Sequence, residues 1–281
     1  MYVKKVDLQA PDVGQAFAQS LRETGFAVLG NHPVSNELVD EVFREWEGFF
    51  ARSEEDKLKT LFDRESQAGF FPSTVSETAK GFDVKDIKEY FHFYDWGVFP
   101  EGMSDNTKIL HTKMTAFAAE LLQMIEDNTP ASISQHFSMP LSKMINDSQR
   151  ILLRILHYPP ITGAEPAGAI RAADHEDINL ITLLPAATAD GLQVKDKQGN
   201  WHNIPAGHGD IIINTGDMLA ECTEGYYKAT THRVVNPEGE KANEPRLSMP
   251  LFLHPADDVK LSERYTANEY RLERLRELGV Y

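Results

Sequence analysis

Two histidines and one aspartate have the residue types and the spacing of a metal site. His175 and Asp177 are separated by a single residue, and His232 follows about 55 residues later. Two neutral imidazole nitrogens and one carboxylate oxygen on one side of an ion leave its other side open. Non-heme Fe(II) enzymes use this ligand set for oxygen chemistry. The three residues therefore predict an enzyme with an Fe(II) centre.

Strand geometry would bring these three side chains together. Residues i and i+2 of a β-strand point to the same side of a sheet, so a strand through His175 would direct Asp177 toward the same ion. His232 lies in 227–235, a segment rich in the β-branched residues that are typical of strands. We therefore expect His175 and Asp177 on one strand and His232 on a neighbouring strand.

The segments around these residues resemble a known family. In chain order they are His175–Leu184, Asp190–Val194, Asn214–Leu219, Thr231–Val234 and Arg246–Pro250. Their order and spacing resemble the isopenicillin N synthase-like group of Fe(II)/2-oxoglutarate-dependent oxygenases, whose pattern is H-x-D, L-T-L-L, G-L-Q-V, G-D, H-R-V and R-x-S. The family's segments G-F-x-x-L-x-N-H, K-E-x-F/Y-F and Y-P-P resemble Gly25–His32, Lys88–Phe91 and Tyr158–Pro160. The resemblance thus covers nearly the whole chain.

The resemblance implies a reaction and its cofactors. Members of the family use Fe(II), 2-oxoglutarate and O2, and ascorbate is an optional addition. The metal ligands would be His175, Asp177 and His232. The implied reaction couples oxidative decarboxylation of 2-oxoglutarate, which gives succinate and CO2, to hydroxylation, desaturation or cyclisation of a small molecule. The sequence does not identify that molecule.

The resemblance also implies a clamp for the far carboxylate of 2-oxoglutarate. Its members would be Arg246 and Ser248 of the R-x-S segment, assisted by Tyr158 of the Y-P-P segment. The chemistry fits, because a guanidinium fork matches a carboxylate bidentately and a hydroxyl two residues along a strand adds a second donor. Arg246, Ser248 and Tyr158 are therefore predicted to hold the co-substrate.

Two other functions stay open at this stage. In some relatives the same Arg and Ser hold a different anion, and Leu156-His157 stand where many relatives carry Asn-Tyr. The chain could therefore be an oxo-acid-independent Fe(II) oxidase of the same family, or a catalytically inactive jelly-roll binding protein. A zinc hydrolase would also accept the ligand set, but no obvious general base accompanies it.

Four further residues are predicted to contact the substrate. Arg171, Phe70, Lys88 and Tyr90 lie in segments that resemble those flanking the family's pocket. Arg171 stands four residues before His175, so on a regular strand it would face the same side and could bind a carboxylate or phosphate. Each has a purely structural alternative, which is core packing for Phe70, a solvated pair with Glu89 for Lys88, and an ordinary salt bridge for Arg171.

The hydrophobic pattern predicts an α+β fold with a mainly β core. Short apolar runs separated by Gly, Pro and Asn are typical of a jelly roll, also called a double-stranded β-helix. These runs are 151–156, 178–184, 191–194, 210–214 and 247–253. Flanking helices are predicted over 11–24, where Gly25 ends the helix, over 35–50, where Ser35 is the N-cap, and over 105–127. A further helix is predicted at the tail, where Thr266 and Glu269 form a capping box.

We predict that the chain forms one structural unit with three regions. They are an N-terminal helical and strand region packing on the core (1–150), a jelly-roll catalytic core (151–257) and a C-terminal helix (258–281). A chain of 281 residues with 41% hydrophobic content is sufficient for one sizeable core.

Charge and cysteine content narrow the cellular role. The formal net charge of −15 disfavours binding to nucleic acid or to an anionic membrane surface. Cys222 is the single cysteine and cannot form an internal disulfide, and no segment has the roughly 18 apolar residues of a membrane span. We therefore expect a cytoplasmic enzyme that acts on a small molecule. The oligomeric state is left open.

Overall fold

Two β-sheets form the centre of the molecule. The computed structural model describes residues 3–75, 86–163, 165, 169–237 and 239–277. The strands are β1 (Lys5–Asp7), β2 (Phe26–Gly30), β3 (Gly69–Phe71), β4 (Glu89–Phe93), β5 (Leu152–Tyr158), β6 (Ala172–His175), β7 (Ile181–Pro185), β8 (Leu192–Lys195), β9 (Trp201–Asn203), β10 (Ile211–Thr215), β11 (His232–Val234), β12 (Arg246–Ser248) and β13 (Leu251–Leu253).

Helices of different lengths accompany the strands. The α-helices are α1 (Val13–Thr24), α2 (Asn36–Phe50), α3 (Glu54–Leu58), α4 (Asn106–Asp127), α5 (Ala131–Ser134), α6 (Asp217–Cys222) and α7 (Ala267–Glu277), and the 3-10 helices are Ser73–Val75, Leu141–Lys143 and Gly239–Asn243. None of the helices within the described ranges has the length and apolar content that crossing a membrane requires.

The sheets have the topology of a jelly roll. The larger sheet has the order β1-β2-β10-β7-β13-β5-β4-β3, with β12 also paired to β5, and the smaller sheet has the order β6-β11-β8-β9. The pair β1 with β2 is parallel, whereas the other described pairs are antiparallel. The predicted α+β fold, with a double-stranded β-helix flanked by helices, is confirmed.

Alternation along the strands decides what faces the space between the sheets. On β5, Leu153 and Ile155 belong to the main hydrophobic core, which α1, α2 and α4 cover. Leu156 and Tyr158 point the other way and pack with Ala172 of the small sheet. The space between the sheets is therefore lined by alternate residues of β5, and Tyr158 is one of them.

The helices on the outer face are anchored by aromatic packing and by the predicted caps. Trp46 of α2 is fully buried and donates from Nε1 to Thr107 Oγ1 at 3.0 Å, which ties α2 to α4. Ser35 Oγ accepts from the Leu38 N–H at 3.2 Å and begins α2. Gly25 ends α1 with φ 73°, a left-handed conformation that glycine adopts without strain. These helix boundaries agree with the sequence prediction to within about two residues.

Two strand predictions were wrong in extent. The run 247–253 is divided into β12 and β13, because Pro250 lacks the N–H that a continuous ladder needs, although its carbonyl still accepts from the Arg154 N–H at 2.9 Å. The run 227–235 forms a strand only from His232 to Val234. Tyr227, at its start, is instead fully buried near the end of α4, with its hydroxyl 3.3 Å from Thr129 Oγ1.

Strands from the N-terminal part complete the larger sheet. β2 pairs with β10, and β4 pairs with β5. Because strands from both regions belong to this sheet, we infer that the predicted regions 1–150, 151–257 and 258–281 make a single structural unit.

Thr266 and Glu269 form the predicted capping box at the start of α7, with the Thr266 N–H donating to Glu269 Oε2 at 2.8 Å.

Candidate functional site

His175, Asp177 and His232 converge between the two sheets. One potential ligand atom from each residue lies within 4.8 Å of the other two. His175 Nε2 is 3.9 Å from Asp177 Oδ1, and His232 Nε2 is 3.7 Å from the same oxygen. His175 and His232 are register partners in the antiparallel pair of β6 and β11. The structure therefore brings the three predicted ligands together and places His232 on the strand next to His175.

Asp177 reaches the site from outside the strand. We predicted that it shares a strand with His175, but β6 ends at His175. The chain turns there, and the Asp217 N–H at the start of α6 donates to the Asp177 carbonyl at 2.7 Å. The two side chains are thus brought together by a turn that is fixed by α6, rather than by strand alternation.

Backbone hydrogen bonds set the tautomer of both histidines. His175 Nδ1 lies 2.7 Å from the Ala173 carbonyl oxygen, and His232 Nδ1 lies 3.0 Å from the Thr230 carbonyl oxygen. A carbonyl oxygen can only accept, so each Nδ1 carries the proton and donates it. Each Nε2 is then left with a free lone pair facing Asp177, which is the arrangement that a metal-binding imidazole requires.

The carboxylate of Asp177 is oriented by two polar side chains on neighbouring strands. Thr182 Oγ1 and Asn214 Nδ2 both donate to its Oδ2, at 2.5 Å and 2.7 Å. Thr182 and Asn214 are register partners on β7 and β10, so both point to the same place. Because Oδ2 receives both donors, Oδ1 remains available toward the two imidazoles.

The pKa values of Asp177 and His175 suit the binding of a cation. Burial alone would raise the pKa of Asp177, but the neighbouring imidazoles and the two donated hydrogen bonds outweigh it and lower that pKa. Desolvation and the neighbouring His232 lower the pKa of His175 to about 4. At neutral pH the site therefore offers a carboxylate and an uncharged His175 imidazole.

One side of this site is open to solvent. The side chain of His175 is 42% exposed, whereas those of Asp177 and His232 are 6% and 8% exposed. Phe26 covers the His232 ring edge-on, with the ring centroids 5.5 Å apart. A small molecule can therefore approach from the side of His175, while the other two ligands are enclosed.

Replacing Asn214 with alanine is expected to weaken metal binding by about 10- to 100-fold, the range that is typical when a group orienting a metal ligand is lost. Asp177 would keep the hydrogen bond from Thr182 but lose the one from Asn214. Competition with a chelator for bound Mn(II) measures the change. Asn203→Ala, at an exposed position of β9, is the control. Equal Mn(II) affinity in both variants would contradict the role given to Asn214.

Arg246 lies on β12, opposite Tyr158 of β5. The two residues are register partners, and the guanidinium carbon is 5.2 Å from the centre of the Tyr158 ring. Arg246 is 2% exposed; its Nε donates to the Ala189 carbonyl at 2.9 Å, but its Nη1 has no hydrogen-bond partner within the described structure. Ser248, two residues further along the strand, is also buried. A buried guanidinium with an unused donor fits an anion.

Arg171 lies beside the same Tyr158 ring. We predicted from strand alternation that it faces the same side as His175, but it precedes β6, and its guanidinium carbon is 5.9 Å from the centre of the Tyr158 ring. Its Nη2 donates to the Glu244 carbonyl at 2.9 Å. Because Arg171 lies outside β6 and the register of β6 against β11 shifts between His232 and Val234, regular alternation does not relate it to His175. Arg171 thus adjoins Arg246 and Tyr158.

Lys88 and Tyr90 lie next to each other at the start of β4. Lys88 Nζ is 2.9 Å from Asp86 Oδ2 and 5.8 Å from the centre of the Tyr90 ring, and both residues are buried. Asp86 also accepts from the Ala173 N–H at 3.1 Å, which ties this pair to β6. Lys88 is therefore a buried ion-pair partner beside the site, not a solvated one.

Phe70 does not face the site. It packs in the helix-covered core, with its ring centroid 5.8 Å from that of Phe49. Phe71, the next residue, faces the opposite way and stacks on Tyr90 with centroids 4.6 Å apart. The prediction for Phe70 was wrong by one residue. The register of β3 against β4 decides which of the two adjacent phenylalanines points toward Tyr90 and the space between the sheets.

Two residues of the site were missed by the sequence analysis. Thr182 and Asn214 lie in segments that resemble the family pattern, but no role was predicted for them. The available signal is their polarity within the buried apolar strands β7 and β10. A buried Thr or Asn in such a strand requires a hydrogen-bond partner, and here the partner is Asp177.

The residues present fit the groups that the sequence predicted. Two imidazole Nε2 atoms and a carboxylate oxygen, with their second polar atoms already engaged, form the donor set for Fe(II). The unpartnered Nη1 of the buried Arg246 fits the far carboxylate of 2-oxoglutarate.

Comparison with known proteins gives matches over most of the chain. The family model of the 2OG-Fe(II) oxygenase superfamily matches residues 149–255, and that of the non-haem dioxygenase in morphine synthesis N-terminal region matches residues 4–111. A 2-oxoglutarate-dependent dioxygenase from Aspergillus rugulosus is 28% identical over 280 residues, which cover 88% of this chain and 84% of that protein.

Solved structures share the whole fold. A candidate oxygenase from Shewanella oneidensis is 52% identical, with a TM-score of 0.90 and complete coverage of both chains. A full-length Neurospora crassa protein, solved in complex with alpha-KG and thymine, is 21% identical, with a TM-score of 0.83, and the match covers 99% of this chain and 97% of that one. The ligand alpha-KG of that Neurospora crassa protein is 2-oxoglutarate.

Proposed function

Because the chain belongs to the 2OG-Fe(II) oxygenase superfamily, we propose that His175, Asp177 and His232 are its iron ligands and that Arg246, Ser248 and Tyr158 hold its 2-oxoglutarate. The observation that carries this proposal is the convergence of the two imidazole Nε2 atoms on Asp177 Oδ1, at 3.9 and 3.7 Å. Fe(II) bound there supplies O2 activation coupled to the conversion of 2-oxoglutarate to succinate and CO2.

The protein's part in this reaction is to hold and orient. Thr182 and Asn214 keep Asp177 Oδ2 occupied, so Oδ1 stays directed toward the metal position. Arg246 presents a donor that the fold leaves free, and the clamp residues lie on one strand pair, β5 and β12. We therefore propose that the co-substrate is held at Arg246 and Tyr158 and that the substrate approaches from the exposed side of His175.

The substrate is proposed to be a small molecule that is hydroxylated, desaturated or cyclised. Tyr90 and Lys88 line the wall beside the metal position, and Phe71 extends this wall as an aromatic face. We give Tyr90 and Lys88 substrate contacts and assign to Phe71 the position predicted for Phe70. Given the net charge of −15, we also infer that the enzyme binds neither nucleic acid nor an anionic membrane surface, and we propose the cytoplasmic location that the sequence predicts.

The test is succinate formation by the full chain. Protein loaded with Fe(II) is incubated with 2-oxoglutarate, O2 and a panel of small molecules, and succinate and the oxidised compound are quantified together. We expect one succinate for each molecule of product. Oxidation of a panel compound without succinate would instead identify an oxo-acid-independent oxidase, and neither reaction, with a panel compound bound, would identify a binding protein.

A further inference from the structure

Two buried arginines, instead of one, lie beside Tyr158. Arg171 and Arg246 are 1% and 2% exposed, and they are among the largest fully buried side chains of the described residues. Neither has a carboxylate oxygen within 4.0 Å in the part of the chain that the structure describes, although the charge of Asp190 partly offsets the effect of burial on the pKa of Arg246. Buried guanidinium groups normally have an anionic partner, since an unpaired buried charge is strongly unfavourable.

Both guanidinium groups adjoin the same ring. Their central carbons lie 5.2 Å (Arg246) and 5.9 Å (Arg171) from the centre of the Tyr158 ring. Each also has a buried donor for which the described structure provides no partner: Nη1 of Arg246 and Nε of Arg171. Two unused donors of like charge next to one aromatic ring indicate a shared anion.

Backbone contacts hold the two arginines in place without neutralising them. Arg246 Nε donates to the Ala189 carbonyl, and Arg171 Nη2 donates to the Glu244 carbonyl, each at 2.9 Å. Glu244 stands two residues before Arg246, so Arg171 is tied to the segment that leads into β12. Burial and the charge of Arg246 lower the pKa of Arg171, as expected for two neighbouring buried cations.

We propose that Arg171 and Arg246 form a two-arginine clamp that holds the far carboxylate of 2-oxoglutarate jointly. This inference rests on the proposed function and extends it. It transfers Arg171 from the substrate site, where the sequence placed it, to the co-substrate site. The placement favours 2-oxoglutarate over a substrate as the source of the carboxylate, because Arg171 adjoins Tyr158 and the segment that leads into β12, which carries Arg246 and Ser248.

The experiment compares two keto acids that differ only at the far end. The full chain is loaded with Mn(II) and titrated calorimetrically, without O2, with 2-oxoglutarate and with 2-oxovalerate, which lacks the far carboxylate. Arg171→Met is expected to raise the Kd for 2-oxoglutarate about tenfold or more, because a charge-assisted contact is lost, and to change that for 2-oxovalerate less than about twofold. Arg171→Lys should restore part of the preference, since lysine keeps the charge but not the fork.

The matched control is Arg233→Met. Arg233 lies on β11, with its guanidinium carbon 4.0 Å from the centre of the Trp201 ring, and it contacts none of the clamp residues in the described structure. Its replacement removes an equivalent side chain from the small sheet and should leave the ratio of the two Kd values at the wild-type level.

Two results would overturn the inference. Unchanged 2-oxoglutarate affinity in Arg171→Met would assign Arg171 to the substrate's carboxylate or to packing alone, and an equal loss for both keto acids would show a purely structural role. If the wild-type protein bound Mn(II) but did not prefer 2-oxoglutarate over 2-oxovalerate, the proposed function itself would be contradicted. That result would be known before any variant is compared.

Discussion

Asp177→Ala is expected to abolish Fe(II) retention and turnover. Asp177 supplies the only carboxylate of the site among the described residues, and its Oδ1 is the atom on which both Nε2 atoms converge. Loss of a direct ligand should exceed the loss of about 10- to 100-fold that follows removal of an orienting partner. Bound metal per chain, measured after desalting of the Fe(II)-loaded protein, gives the result.

Loss of metal must be separated from loss of folding. Removing Asp177 leaves the donors of Thr182 and Asn214 without their buried acceptor, which is expected to lower the free energy of unfolding by about 1–3 kcal/mol. Circular dichroism of the metal-free variants therefore accompanies the measurement. Asp174→Ala is the control, because Asp174 lies on β6 but pairs with Lys195 at 3.6 Å instead. Full metal retention in Asp177→Ala would refute the ligand assignment.

Arg246→Met is expected to raise the Kd for 2-oxoglutarate about 100-fold, because the charge-assisted contact between the buried guanidinium and the carboxylate is lost. Methionine retains much of the packing against Tyr158 but has no donor. Arg246→Lys should be intermediate, since an ammonium is a point charge and cannot form the fork. Calorimetric titration of the Mn(II)-loaded protein without O2 measures the affinity.

Mn(II) retention by the same protein samples is the control for the Arg246 variants. The guanidinium contacts Tyr158 and the Ala189 carbonyl, and neither belongs to the metal ligands. Mn(II) retention should therefore be the same in wild type, Arg246→Met and Arg246→Lys. If 2-oxoglutarate affinity stayed unchanged while Mn(II) remained bound, the clamp would have to be sought elsewhere.

The sequence was sufficient for the fold and for the members of the metal site. Hydrophobic alternation located the strands, and cap residues such as Ser35 and Gly25 located helix ends, because these signals are local. The His175, Asp177 and His232 set followed from residue types and spacing. Its geometry did not, since Asp177 is placed by a hydrogen bond to α6, which lies 40 residues away in the chain.

Features that depend on register were not accessible from the sequence. Phe70 and Phe71 are chemically identical neighbours, and only the pairing of β3 with β4 decides which one faces Tyr90. Arg171 precedes β6, so its position beside Tyr158 did not follow from strand alternation. Contacts between segments that are far apart in the chain determine both positions, and a single sequence does not encode them in a readable way.

The central claim is that one site binds Fe(II) through the three ligands and 2-oxoglutarate through Arg246. Anaerobic addition of 2-oxoglutarate to the Fe(II)-loaded full chain tests it most directly, because a keto acid that chelates ferrous iron produces a weak visible absorption band. We expect the band in the wild type and its loss in Arg246→Met at the same 2-oxoglutarate concentration. No band in the wild type, with iron still bound, would contradict the account.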